Sequence, residues 1–343
     1  MTNEVKPATP EKVGRKPTLK TISQLSGLAV PTVSRALSDA PDIGQKTKER
    51  VRRIAKEVGY VPNRAGVRLR TGRTNVISLV LSTEHDLMNH TARLISSIAG
   101  GLKETQFHLN VTPHYPGDDL LRPFRYIVET GSADAVIFNQ IEQDDPRVAY
   151  LRDMGFPFAT HGRSKWADQH PYFDFDNDVF GRIAVEHLAQ RGRKRLLLVA
   201  PPTTQSYGSA MIEGAQSAAR DCGLNLTVAR RIDSDSSSAD VRTFIAQAVT
   251  QDPLIDGVIS GSTTATMAAV AGMEAEGFDV ATDIDVFSKE AMPFLQLFRK
   301  GIIVIPEDVK HAGEFLARAA IQAVREPNAP PMQGLEVPTH PKD

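Results

Sequence analysis

The chain has 343 residues, 41% of them hydrophobic, with 40 Lys and Arg against 41 Asp and Glu. That balance excludes a disordered or collagen-like polypeptide and leaves room for two or three packed domains. A single cysteine, Cys222, excludes an internal disulfide and a multi-cysteine zinc site, which points to a reducing compartment.

The near-zero total hides a strong asymmetry. Residues 1–73 carry 16 Lys and Arg against 6 Asp and Glu, a net of +10, and residues 74–343 carry 24 against 35, a net of −11. A basic head on an acidic body suggests an arm that binds a polyanion. No apolar run reaches the roughly 18 residues of a membrane helix, and the N-terminus has no segment of signal-peptide type. A soluble, cytoplasmic protein with no membrane partner is therefore expected.

Residues 1–16 are polar and read as a disordered tail. Over residues 17–61 the spacing predicts three helices. Thr18 is a candidate N-cap, with Leu19, Ile22 and Leu25 placed on one face, and Gly27 breaks the run. Val30–Leu37 forms the second helix, with Pro31 in its first turn, where a missing N–H costs little. Gln45–Val58 forms the third, with Val51, Ile54, Ala55 and Val58 inward and Lys46, Lys48, Arg50, Arg52, Arg53 and Lys56 outward.

Two short helices joined by a glycine-containing turn, then a third, describe a helix-turn-helix module. Its second helix would read DNA through Val30, Pro31, Thr32, Ser34 and Arg35. Arg35 can make a forked contact to guanine, and Val30 and Pro31 offer apolar contact to a thymine methyl. On spacing alone, a helical bundle with solvated basic residues remains an equal reading.

The joint at residues 62–73 carries four arginines and two glycines. Pro62 sets the chain direction, Asn63 can cap, and Arg64–Arg70 can form two helical turns. A helix this short is marginal in water, and Gly66 weakens it further by roughly 1 kcal/mol relative to alanine. The joint is expected to fold only when it is paired on DNA.

From Asn75 short apolar runs alternate with amphipathic segments. The pattern predicts strands at Val76–Leu81, Leu109–Thr112, Ala133–Asn139, Pro157–His161, Leu196–Ala200, Leu224–Ile232, Gly257–Gly261, Ile284–Phe287 and Ile302–Ile305, with helices between all but the last two and a last helix over Asp308–Val324. Strands that are apolar throughout, alternating with helices, argue a parallel α/β architecture. There are more helices than one open sheet needs, and Tyr172–Asn177 reads as a crossing between two such units.

Ligands of open α/β sheets bind beyond the carboxyl ends of strands. By that criterion Asn139, His161, Arg163, Asp174, Ser262, Lys289 and Glu290 are the polar residues to weigh. Asn, Arg and carboxylate groups suit polyhydroxyl ligands, because their paired donors and acceptors match adjacent hydroxyls.

The segment Thr18–Leu37, together with Lys48-Glu-Arg-Val, Gly59-Tyr-Val-Pro-Asn and Arg70-Thr-Gly-Arg-Thr, resembles the N-terminal signature of the lactose-repressor (LacI) family of bacterial transcription regulators. The likeness runs without a gap from about residue 17 to residue 80 and continues more weakly almost to the C-terminus. It implies an all-helical helix-turn-helix head at residues 17–61 and a hinge helix at residues 62–73. Residues 74–343 would then form a periplasmic-binding-protein-like body of two doubly wound parallel-sheet subdomains. Subdomain one would comprise residues 74–173 and 304–328, and subdomain two residues 174–303 with the C-terminal tail.

The resemblance implies a ligand-responsive regulator, a repressor of carbohydrate-uptake or catabolism genes. It would bind a pseudo-palindromic double-stranded operator as a homodimer or higher oligomer. Thr18, Asn63, Gly66, Leu69 and Arg70 join the reader helix as DNA-binding positions, with Leu69 wedging the minor groove. Gly66 stands where the family usually has alanine. Asn139 falls at a family ligand-contact position, and Glu290 where an aspartate commonly grips sugar hydroxyls. Met211 replaces a frequent arginine, Ser262-Thr263 an Asn-Asp pair, and Ser288-Lys289-Glu290-Ala291 a Gly-aromatic-Asp-Asp turn. These departures leave the effector open between an atypical sugar, a phosphorylated or acidic molecule drawn to Lys289, and something else.

Enzyme and metal chemistry find no support in the sequence. The run Asp174–Asp178 opens like a calcium loop but has Val179 and Val185 where glycine and glutamate are required. The histidines show no metal-ligand spacing, and neither a nucleophile elbow nor a phosphate-binding loop occurs. No cofactor and no catalytic residue is expected.

Overall fold

The structure, a computed structural model, describes residues 16–61, 68, 72–83 and 88–341. The chain divides into two compact units, Met1–Thr74 and Asn75–Asp343.

In the first unit, α1 (Leu19–Ser26), α2 (Val30–Leu37) and α3 (Gln45–Glu57) close around Ile22, Val33, Ala36, Val51, Ile54 and Ala55. Thr18 starts α1, its N–H donating to Thr21 Oγ1 at 3.1 Å. Gly27 ends the helix at φ 68°, left-handed backbone that a Cβ would disfavour, and its N–H returns to the Ser23 carbonyl.

Two expectations for this unit fail. Leu25 is 57% exposed, because a step of three lags the helical turn and two such steps carry it off the Leu19–Ile22 face. Lys48 is buried, with Nζ 3.1 Å from Asp39 Oδ1 and donating to the Asp39 carbonyl at 3.2 Å. Its long stem packs inside while the ammonium ties α3 to the loop after α2.

The second unit contains two parallel sheets. Sheet one has the order β11-β5-β4-β3-β1-β2, built from β1 (Val76–Ser82), β2 (His108–His114), β3 (Ala135–Phe138), β4 (Phe158–His161), β5 (Tyr172–Phe175) and β11 (Gln333–Glu336). Sheet two has the order β10-β9-β8-β6-β7, from β6 (Arg195–Val199), β7 (Asn225–Val228), β8 (Gly257–Ser260), β9 (Asp285–Glu290) and β10 (Ile302–Pro306).

Around sheet one lie α4 (Met88–Leu102), α5 (Arg122–Thr130) and α6 (Pro146–Asp153). Around sheet two lie α7 (Asn177–Gln190), α8 (Ser206–Cys222), α9 (Ser238–Gln251), α10 (Thr263–Ala275) and the single turn α11 (Leu295–Phe298), and α12 (Val309–Arg325) returns to pack on α4. Helices α7 and α8 approach closely because Gly214 meets the Asp178 carbonyl, which a Cβ would strike. Central strands bury both faces, as Ala135–Phe138 and Gly257–Ser260 do at every position, which accounts for their unbroken apolar runs.

The subdomain boundaries differ from expectation. Tyr172–Phe175 is a strand of sheet one, so the first crossing comes at Asp176. The return crossing follows Pro306, since β10 belongs to sheet two. The tail residues Gln333–Glu336 pair in parallel with β5 in sheet one and not with sheet two; this short polar strand carries no apolar pattern to announce it. Beyond it, His340 Nε2 does reach Glu186 of α7, at 3.8 Å.

The crossings are tied to one another. Asp176 N–H donates to the Glu336 carbonyl at 2.8 Å, and Asp308 N–H donates to the Glu336 carboxylate at 3.1 Å.

Candidate functional site

On the head, α2 starts at Val30 with Pro31 in its first turn and presents Pro31 and Arg35 to solvent. Val30, Thr32 and Ser34 are half-buried beside them, and Thr18 is exposed at the start of α1. Arg35 Nη2 rests 2.5 Å from Asp42 Oδ2, with 58% of the arginine side chain exposed. That single contact orients the guanidinium and leaves its other N–H groups for an acceptor. Asp39 bridges Lys48 and Arg52 and is held below the usual carboxylate range, chiefly by its bond to Lys48. Lys46, Arg50, Arg52 and Arg53 remain exposed on α3. Asn63, Gly66, Leu69 and Arg70 lie outside the described residues.

In the body, a cavity of ≈390 Å³ opens where the carboxyl ends of both sheets converge. Asn139 follows β3, His161 ends β4, Asp174 lies in β5 and Ser262 follows β8; Lys289 comes from β9 and Glu307 follows β10. Phe175, Tyr207, Phe294, Met267 and Met292 supply apolar walls. Ser262 also caps α10, accepting from Ala265 N–H at 3.2 Å and donating to the Ser234 carbonyl at 3.1 Å.

Glu307 is the hub of the cavity. Lys289 Nζ stands 3.0 Å from its Oε2, donates to Asn177 Oδ1 at 3.2 Å and lies 5.0 Å from the Phe175 ring centre. His90 Nε2 and His161 Nε2 stand 3.5 and 3.9 Å from Oε1, their rings stacked at 5.3 Å. Burial alone would raise the Glu307 carboxyl, but Lys289 and then His90 and His161 hold it well below the usual range. Burial, and then the neighbouring His90, pushes His161 down to about 4, so its imidazole is neutral at pH 7. Asp174 is pushed up to about 6 by burial, against the opposing charge of Arg163.

Five of the eight effector positions singled out in the sequence line the cavity: Asn139, His161, Asp174, Ser262 and Lys289. Three do not. Arg163 donates to Asp174 Oδ2 at 2.6 Å and so acts behind a lining residue. Met211 is fully buried in the core between α7 and α8. The Glu290 carboxylate accepts the N–H groups of Phe294 and Leu295, at 3.2 and 2.9 Å, and caps α11. Consecutive strand residues face opposite sides, so Lys289 and Glu290 could not both enter one cavity.

Sequence reading missed His90, Asn177, Tyr207, Asp235 and Glu307. Glu307 carried a usable signal, as a charged residue directly after an apolar strand. His90, His161 and Glu307 each bring a ligand atom within 4.8 Å of the others, a spacing a metal ion requires. Chain separations of 71 and 146 residues hid that group from any motif. The Lys289 ammonium supplies the other oxygen of this carboxylate with a cation, so the residues form an ion-pair hub.

Residues 18–63 match the family described as bacterial regulatory proteins, lacI family, and residues 88–320 match periplasmic binding proteins and sugar binding domain of LacI family. The chain belongs to the LacI family. The AglR transcriptional regulator of Rhizobium meliloti (strain 1021) is 28% identical over 92% of this chain and 90% of its own. CelR of Thermobifida fusca is 26% identical, over 95% and 97% respectively. RafR of Escherichia coli is 32% identical across 60% of this chain and 62% of its own.

Among solved structures, a CelR–cellobiose complex covers 94% of this chain and 98% of its own, with TM-score 0.69 and 23% identity. The lac repressor dimer bound to operator and the anti-inducer ONPF covers 96% and 98%, with TM-score 0.80 and 18% identity. At these identities the structural likeness is one of fold.

Proposed function

We infer that this LacI-family chain is a ligand-responsive, sequence-specific DNA-binding transcription regulator, a repressor of carbohydrate-uptake or catabolism genes, and not an enzyme. The observation that carries this reading is the pairing, in one chain, of two features. One is a basic three-helix head whose α2 exposes Arg35, and the other is a cavity of ≈390 Å³ at the strand ends of a two-sheet body. A cavity of that size falls within the roughly 300–1,000 Å³ range of small-molecule pockets and can hold a disaccharide.

The reader helix would enter the major groove, with Arg35 on guanine and Thr18 on the backbone. Residues 62–73 would act as the hinge that folds on operator, placing Leu69 in the minor groove and Arg70 on phosphate. A homodimer would set two heads on a pseudo-palindrome. Asn139, His161, Ser262 and Lys289, with Asn177 and Glu307, would hold the effector, and tilting of the two subdomains about their tied crossings would pass its presence to the hinge. Cytoplasmic residence follows from the DNA partner, and among the described residues no helix is long and apolar enough to cross a membrane.

Operator selection from a random duplex pool, followed by a salt titration, tests the reading. Affinity should fall steeply with salt while sequence preference persists, because phosphate contacts release counterions and base contacts do not. Flat, negligible duplex binding would refute it.

A further inference from the structure

The sequence left open whether Lys289 draws an anionic effector into the cleft. We propose that the cleft is built to admit an uncharged polyol, a neutral sugar, and to reject phosphorylated or carboxylated ones, with Glu307 as the residue that enforces the choice. The proposal rests on the reading of this cleft as the effector site.

Among the described residues, Lys289 is the one lysine or arginine that lines the cavity. Its ammonium is committed: Glu307 Oε2 takes it at 3.0 Å, Asn177 Oδ1 accepts from it at 3.2 Å, and the Phe175 ring lies beneath it. Glu307 and Lys289 expose only 7% and 11% of their side chains, so water screens this pair weakly. Arg163, the next guanidinium along the chain from His161, is engaged with Asp174 behind the wall. The neutral imidazole of His161 adds no compensating charge.

An entering phosphate would therefore meet Glu307, Asp174 and Asp235 in the walls and no cation without its own carboxylate. To capture Lys289 it would have to leave Glu307 buried and unpaired, which costs more than the exchange returns. A neutral sugar avoids that cost. Its hydroxyls can bond to Asn139, Asn177, Ser262 and the outer lone pairs of Glu307, and its C–H faces can lie on Tyr207 and Phe294. The ion pair also joins β9 of sheet two to the return crossing, so the same contact that sets selectivity lies between the subdomains.

The test titrates inorganic phosphate and glucose 6-phosphate, at constant ionic strength, into the full chain, Glu307→Gln, and the double variant Glu307→Gln/Lys289→Gln. Calorimetry and thermal shift are the readouts. Wild type should show no saturable anion binding. Glu307→Gln, which frees the ammonium without changing shape, should gain at least about tenfold in anion affinity, and the double variant should lose the gain. Saturable phosphate binding by wild type that Lys289→Gln removes would overturn the proposal, and this outcome needs no Glu307 variant to fold. A folded Glu307→Gln protein that gains no anion affinity would overturn it too. A parallel titration with cellobiose, maltose and raffinose, read by the change in operator affinity, separates the two readings. If no neutral sugar shifts operator affinity in either direction while the anion series behaves as stated, the effector reading fails and the charge selection stands.

Discussion

Arg163 Nε donates to the Asp174 carboxylate at 2.6 Å, and burial still leaves that acid titrating near 6. The folded state therefore holds a proton on Asp174 that the unfolded chain, at the ordinary value of 3.8, has lost. Its contribution to stability is present below the unfolded value and is lost as pH rises from about 4 to 6. His161 works the other way. With its folded value near 4 against 6.5, the unfolded chain takes up the proton first, and stability rises with pH across that window. Each effect amounts to roughly 3 kcal/mol at most, and over pH 4–6 they oppose each other. Wild type should melt at a nearly constant temperature there, Asp174→Asn should melt higher with rising pH, and His161→Asn lower. Parallel melting-temperature profiles for all three proteins would dismiss the assignment.

Glu290 holds the loop after β9 by accepting two backbone N–H groups at the start of α11, so its removal acts first on stability. Glu290→Ala should destabilise the body by about 1–2 kcal/mol, the usual cost of a lost cap. Asn139→Ala, by contrast, should leave the melting temperature within a degree or two and weaken effector binding. Calorimetric titration beside thermal melts distinguishes the two, and the reverse pattern would return Glu290 to the cavity.

Among the residues proposed to read DNA, Arg35 exposes 58% of its side chain and carries the fork suited to guanine. Arg35→Ala should cost about 1–3 kcal/mol at one base-pair position and relax preference there. Arg70→Ala should weaken all sequences alike, since the phosphate contact proposed for it carries no base information. Competition binding on operators varied one base pair at a time reads both effects, and a uniform loss for Arg35→Ala would demote it to a backbone contact.

The hinge prediction rests on the chain itself. Gly66→Ala removes a helix-propensity cost of roughly 1 kcal/mol per hinge, worth about fivefold for each hinge and about thirtyfold in operator affinity for a dimer whose two hinges fold on binding. The same variant should blunt the effector response, whichever its sign, because a stronger helix depends less on the state of the body. Equal affinity and equal response would rule out folding-coupled binding.

Much of the architecture was legible because its signals are local. Apolar runs such as Leu196–Val199 and Val258–Ile259 announce buried parallel strands, and Gly27 announces the turn between α1 and α2. β11 was not legible, since Gln333–Glu336 has no apolar alternation and is a strand only because β5 offers it an edge. Leu25 and Lys48 were misplaced because spacing reports the phase of a helix and not what covers it.

The sequence by itself determined the three-helix head, the two-sheet body and the family, because residue order alone sets helix period, strand burial and turn chemistry. Only the tertiary structure decided the cleft. It drew His90, His161, Lys289 and Glu307 from four distant segments into one charge network, and it turned Met211 and Glu290 away from the cavity. Which of two adjacent strand residues faces a ligand, and whether a lysine is spoken for, depend on partners far along the chain. Charge pairing acts through space, and sequence distance carries no measure of it.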